Sequence, residues 1–254
     1  VHDENPDLRP DDEPGAVDPA SARYRAPLFY RRFGKPCVSA YRDEAELAFN
    51  LAFRGHPGIH MRWGYAEPGR APLQEPATGV TALLDHFRRH RDLYLDTRSA
   101  ASVALWRSRQ SLAYVSTDTH LSAAVLEHLL FVNRIPFSII MDGCIDSGDL
   151  SAFDLVILPD AEFVSAKQVA RLTDYVAAGG ALLLTERTGL YTAEPRKRTR
   201  PAFSHLFERG VVNASADSEE ARTLDPNRQF TLRLTAGAPA LSGYGSGRAA
   251  YLPA

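Results

Sequence analysis

From Ser102 onward, short apolar runs alternate with longer stretches in which apolar residues recur every three or four positions. "SVALWRSR", "FSIIMD", "FDLVILPD" and "ALLLTE" have strand length, and the second and third are apolar enough to be buried on both faces. Between the first two, "THLSAAVLEHLLFVN" sets Leu121, Val125, Leu129 and Val132 on a helical period, and Asn133 and Pro136 supply its stop. A further helix opens at Ser165-Ala-Lys-Gln168, the spacing of a capping box, and runs through Val169, Leu172 and Val176 to Gly179-Gly180. Four apolar strands separated by helices or turns predict a parallel, doubly wound sheet. The rest of the chain is less regular. "RKRTR" (196–200) reads as a solvated loop, "RQFTLRLT" as a strand with alternating faces, and "GSGRAAYLP" as a last short strand.

Upstream the same grammar is shorter. Within 27–101, "KPCVSAY" and "GIHMRWGY" read as strands and "RDEAELAFNLAFRG" as a helix closed by Gly55. "TALLDHFRRHRDLYL" is a long amphipathic helix with Leu83, Leu84, Phe87, Leu93 and Leu95 among its apolar positions. Two strands cannot close a sheet, so this segment reads as part of a larger layer. Residues 1–26 are rich in Asp, Glu and Pro and poor in large apolar side chains, which predicts a flexible arm.

Composition narrows the function. The 254 residues are 44% hydrophobic and 24% charged, enough for one large core or two modest ones. A net charge of -2 supplies no field toward nucleic acid or an anionic membrane, and no apolar run approaches the roughly 20 residues that span a bilayer. The two cysteines, Cys37 and Cys144, make neither a disulfide framework nor a zinc cluster. The acidic, proline-rich start is the opposite of a signal peptide, so a soluble cytoplasmic protein is expected. A first residue of Val1 suggests a piece of something longer.

Several phrases in order, "FDLVILPD", "VSAKQVARLTDYVAAGGALLLTERTG" and "GYGSGRAAYLP", resemble the class I glutamine-amidotransferase-like domain of bacterial glycoside hydrolases. The nearest form is the trimerisation domain of family 42 β-galactosidases. The resemblance covers 102–254 and implies a flavodoxin-like α/β fold, with a parallel sheet and helices on both faces. It also implies a homo-oligomer, a trimer in that family. "AELAFNLAFRGHPGIHMRWGY" and "FRRHRDLYLDTRSAASVALWRSR" resemble the approach to the last barrel strand and the exit from the last barrel helix, so 27–101 resembles a partial, barrel-derived α/β segment. The stretches that would carry a barrel's catalytic carboxylates are missing, and no glycosidase activity is expected of this chain.

A glutamine amidotransferase needs a cysteine at the strand-to-helix elbow after "ALLLT", activated by a histidine that a carboxylate orients. Thr185, Glu186, Arg187, Thr188 and Gly189 stand there instead, and no cysteine lies between Asp146 and Ala254. Glutaminase activity is therefore not expected. What remains are residues at the carboxyl ends of predicted strands, where open α/β sheets bind ligands. These are Asp118 and His120 after the first strand, Asp142 and Cys144 after the second, and Glu186 and Arg187 after the fourth. Each also has a plain reading: an adjacent ion pair for Glu186 and Arg187, a helix start for His120, a buried thiol for Cys144. His86 and His90 have helical zinc spacing but neither a third ligand nor an intervening Glu, and two arginines lie between them. Trp63 is the upstream ligand candidate, its indole face suited to a sugar ring or to the core.

The function expected is a non-catalytic accessory or oligomerisation domain of a glycoside-hydrolase-like protein, associated with a carbohydrate and needing no cofactor or metal. Two alternatives stay open. One is a hydrolase or amidase using the strand-end carboxylates or Cys144; the other is a sugar- or metabolite-binding module.

Overall fold

The computed structural model describes residues 38–41, 44–53, 56–60, 78–94, 99–114, 117–185, 187–207, 211–213, 221–225, 228–232 and 240–252. The chain divides into two compact units, Val1–Ser99 and Ala100–Ala254.

In the first unit, β1 (Val38–Tyr41) pairs in parallel with β2 (His56–His60), and α1 (Glu44–Ala52) connects them. Tyr41, Leu47, Leu51 and Val80 form a small core, with Leu83, Leu84 and Phe87 of α2 (Thr78–Arg89) packed against it. The period of α2 is as its sequence predicts, but the helix stops at Arg89. Leu93 then sits in a 3-10 turn (Arg91–Leu93), 71% exposed rather than on the apolar stripe.

The second unit is built on a seven-stranded sheet of order β4-β3-β5-β6-β11-β10-β7. Its first four members are the four apolar runs: β3 (Val103–Arg107), β4 (Phe137–Met141), β5 (Leu155–Leu158) and β6 (Ala181–Thr185). All pair in parallel, with Val103 beside both Phe137 and Leu155, and Leu155 beside Ala181. In order of appearance they lie 2-1-3-4, the arrangement of flavodoxin-like sheets. The fifth parallel strand is β11 (Gly247–Leu252), which aligns Arg248 with Ala181. β10 (Ala240–Tyr244) and β7 (Val211–Asn213) extend the sheet antiparallel, and β8 (Ala221–Asp225) pairs with β9 (Arg228–Leu232) in a separate hairpin.

Six-residue helices α3 (Arg109–Tyr114) and α5 (Asp142–Ser147) follow β3 and β4, and no periodicity can announce elements that short. α4 (Thr117–Val132) returns the chain from β3 to β4. Arg134, not Asn133, takes the left-handed conformation that ends α4 (φ 57°), and the Ile135 amide donates to the Leu130 carbonyl at 2.9 Å. α6 (Ala166–Ala177) carries the predicted capping box: the Ser165 side chain accepts from the Gln168 amide, and the Gln168 side chain accepts from the Ser165 amide. Gly179 follows at φ 117°, a conformation open to glycine. The helices cover a core that includes Trp106, Ile140, Ile145, Leu158, Leu172 and Leu182.

Candidate functional site

At the carboxyl ends of the parallel strands, the first feature is a set of buried charges that neutralise one another. Arg107, the last residue of β3, donates from Nε to Oε1 of Glu127 at 2.5 Å. Glu127 is fully buried on α4, and an unpaired carboxylate there would be prohibitive. The same guanidinium lies 3.0 Å from Nδ1 of His120, which makes that nitrogen the acceptor and leaves the proton on Nε2. His120 is thus more than a helix-start residue: it belongs to an Arg–Glu–His cluster.

Asp142 opens α5 at the end of β4. Its Oδ1 accepts from the buried Trp106 indole at 2.9 Å, and the amides of Arg109 and Gln110 donate to the same carboxylate. Burial pushes its pKa above the usual 3.8, with the charge of Asp146 adding to the rise; the indole and the two amides hold it back. The carboxylate that the sequence offers as a ligand contact therefore ties β4 to β3 and the first turn of α3. Cys144, two residues on, is 7% exposed and packs within the core, which removes it as a nucleophile open to substrate.

The third group centres on Asp160, just after β5, a buried residue with φ 42°. Its Oδ1 accepts from the Thr185 hydroxyl at 2.6 Å and from the Arg187 amide at 3.2 Å, while Oδ2 accepts from the Ser122 hydroxyl. Its own amide donates to Thr185 Oγ1 at 2.7 Å. Thr188 donates to the Leu158 carbonyl at 2.8 Å. Arg187 pairs at 2.6 Å with Glu162, which is not its neighbour in sequence; the adjacent pair with Glu186 lies outside the described residues.

No helix follows β6 directly. The chain turns through 187–189 and folds back over the strand ends. The Gly189 amide donates to the Ala161 carbonyl, Tyr191 bridges to Phe163, and the Arg198 guanidinium donates to the Val164 carbonyl at 2.7 Å. Gly189 is required here: its φ is 76°, and a Cβ would lie 2.7 Å from that of Ala202. Arg198 belongs to the basic run read as a solvated loop, and it is a buttress instead. Several side chains at the strand ends, among them Arg107, Asp142, Asp160 and Thr188, are thus bonded to the protein itself.

A concavity of about 500 Å³ lies at the opposite edge, before β5 and β6, lined by Asp154, Arg171, Asp174, Tyr175 and Gly180 among others. The Tyr175 hydroxyl donates to the Phe153 carbonyl at 3.0 Å, and burial pushes its pKa up to about 12. This concavity lies at the amino ends of the strands, away from the carboxyl ends where the sequence places ligand candidates.

Trp63 and Glu186 lie outside the described residues, as does the side chain of Asp118. His86 on α2 and His90 just after it are exposed, their rings tilted at 46° with centroids 4.6 Å apart. No group of three or more metal-ligating side chains occurs among the described residues. None of the described helices is long and apolar enough to cross a membrane.

Fold and strand-end geometry define a parallel α/β domain in which Arg107, Asp142 and Asp160 at the strand ends bond to partners within the domain. The family model of the beta-galactosidase trimerisation domain matches residues 106–238, and the chain belongs to that family. Beta-galactosidase Bga of Halorubrum lacusprofundi is 36% identical over 75 residues, covering 30% of this chain and 10% of that protein. Among solved structures, a catalytic mutant of Gan42B, a GH42 beta-galactosidase from G. stearothermophilus, has a TM-score of 0.64 at 15% identity, over 97% of this chain and 45% of its own. The beta-galactosidase of the Antarctic haloarchaeon Halorubrum lacusprofundi gives 0.61 at 18% identity, over 95% and 46%. The chain thus spans less than half the length of these relatives.

Proposed function

We propose that the chain is a non-catalytic oligomerisation module of a glycoside-hydrolase-like protein and assembles as a trimer. The observation that carries this reading is the match of 106–238 to a trimerisation domain. The strand-end chemistry supports it, because the hydroxyls of Thr185 and Thr188 are already committed to Asp160 and Leu158. The likeness to beta-galactosidase folds runs over 97% of the chain, which favours reading 27–101 as barrel-derived and the whole as carbohydrate-associated. Cys144, a free thiol inside the core, suits a reducing cytoplasm.

Light scattering on the purified chain tests the reading. The expected mass at micromolar concentration is three times the 28.0 kDa of one chain. A monomer up to millimolar concentration would overturn it. Ammonia release from glutamine, measured alongside, is expected to stay at background.

A further inference from the structure

The two ends of the parallel strands treat charge differently. At the carboxyl ends, the carboxylates of Glu127, Asp142 and Asp160 are each bonded to a partner in the domain. At the amino ends, around the concavity of about 500 Å³ before β5 and β6, they are not. Asp154 and Asp174 line it and are exposed, and among the described residues neither carboxylate has a hydrogen bond or an ion pair.

Arg171 stands in the same wall, three residues before Asp174 on α6, a spacing at which opposite charges commonly pair. Here they do not. The guanidinium turns instead to the Gly148 carbonyl, to which Nη2 donates at 2.6 Å. Its Nε is buried without a partner among the described residues, so much of its capacity to donate is unused. The ring of Tyr175 completes the wall and is fixed at two points. Its hydroxyl donates to the Phe153 carbonyl at 3.0 Å, and a Cβ on Gly180 would lie 2.2 Å from its Cζ, so the ring rests on bare backbone there. Burial raises the pKa of Tyr175, and the charge of Asp154 beside it adds to the rise. Carboxylate, guanidinium and ring thus meet around one space with their polar groups largely unspent.

These groups set conditions on an occupant. An anion would face two carboxylates, and a simple cation would meet the Arg171 guanidinium and offer it no acceptor. A ligand with several hydroxyls satisfies both, since a hydroxyl donates to a carboxylate and accepts from a guanidinium. A flat ring bearing C–H groups suits the electron-rich face of a tyrosine. The volume is that of a small-molecule site, for which about 300–1,000 Å³ is usual. We propose that the amino-end concavity binds a neutral pyranose sugar, with Asp154 and Asp174 accepting from its hydroxyls, Arg171 donating to them and Tyr175 against its C–H face. The proposal rests on the carbohydrate association proposed above and gives it a place in the second unit. It is independent of the trimer.

The test titrates the full chain, isotope-labelled for NMR, with galactose and separately with glucose, following the amide signals of Gly179 and Gly180. With at least one sugar these signals should shift saturably, with a midpoint on the order of 1–10 mM. Asp154→Asn and Asp174→Asn, both at exposed positions, should each raise that midpoint roughly tenfold and leave the rest of the spectrum in place. Glu194→Gln, an exposed acid outside the concavity, should leave it unchanged. Methylguanidinium, a cation without hydroxyls, should bind more weakly than the sugar. Unchanged midpoints in the two Asp variants, or tighter binding of methylguanidinium, would overturn the site. Saturable shifts confined to the first unit would overturn it while keeping the carbohydrate association, and no saturable shift in either unit would remove both.

Discussion

Replacing Asp160 by alanine should be among the most damaging single changes in the second unit. Its carboxylate accepts from Thr185, Arg187 and Ser122, and each of those donors lies on a different part of the strand-end edge. Thr185 has no easy alternative, since its oxygen already receives the Asp160 amide. A hydrogen bond to a charged acceptor contributes about 1.5–3 kcal/mol, and sharing among three donors makes the sum less than additive, so about 3 kcal/mol is a working figure. The backbone adds to it: φ at 160 is 42°, where alanine is worse than aspartate by about 1 kcal/mol. The total expected loss is about 4 kcal/mol. Asp160→Gly should recover the backbone part, and Asp160→Asn, which keeps one acceptor and tolerates this φ, should cost about 1–2 kcal/mol. Urea unfolding followed by Trp106 fluorescence in a Trp63→Phe background reports on this unit directly. A loss below about 1 kcal/mol for the alanine variant would refute the claim that this carboxylate organises the edge. Equal losses for glycine and alanine would refute the backbone part.

Arg187→Ala removes the partner of a buried Glu162, but Arg187 is itself 38% exposed, so a loss of about 2 kcal/mol is expected, read from the same unfolding curves. Asp142 has a native pKa above its ordinary 3.8, so its contribution to stability is fully present below that value and declines as pH rises through the raised pKa. The melting temperature of Asp142→Asn should therefore gain on the wild type as pH climbs from 3.8 toward neutrality; a difference independent of pH would contradict the assignment. Gly247→Ala would bring a Cβ within 2.1 Å of the Val176 carbonyl and 2.3 Å of the Gly180 carbonyl, both backbone. It should cost about 3 kcal/mol by prying β11 from the end of α6, visible as a lowered urea midpoint. Ser165→Ala, which deletes half of the capping box, should cost about 1 kcal/mol in the same assay.

The parallel strands were legible because burial on both faces leaves little room for polar residues: "FSIIM" and "LVIL" have almost none. The capping box was legible because it is a local bond between residues three apart. What sequence could not show depends on distant partners. The segment after β6 has no period, and its order comes from bonds such as Arg198 to Val164 and Gly189 to Ala161. β7 and β10 were missed because their place is set by β11 rather than by their own pattern. Arg187, His120 and Asp142 were found at the strand ends, Arg187 also as an ion-pair residue, but their distant partners Glu162, Arg107 and Trp106 were not. One overlooked signal was available. Glu127 stands alone among the apolar residues of "AAVLEHLLFV", and a carboxylate on a buried helical face requires a cation, which Arg107 supplies.

β11 sits between β6 and β10, with a parallel neighbour on one side and an antiparallel one on the other. On a ribosome, β3 to β6 emerge in sequence and can pair as they appear, but the inner seat beside β6 stays empty while all of 187–246 is made. During that interval the unpaired edge of β6 is a template for any other strand, including β6 of a neighbouring nascent chain. If the chain trimerises as proposed, this is a stage at which copies could meet wrongly. On that proposal, the order in which strands are made would bear on assembly as well as the contacts of the finished fold.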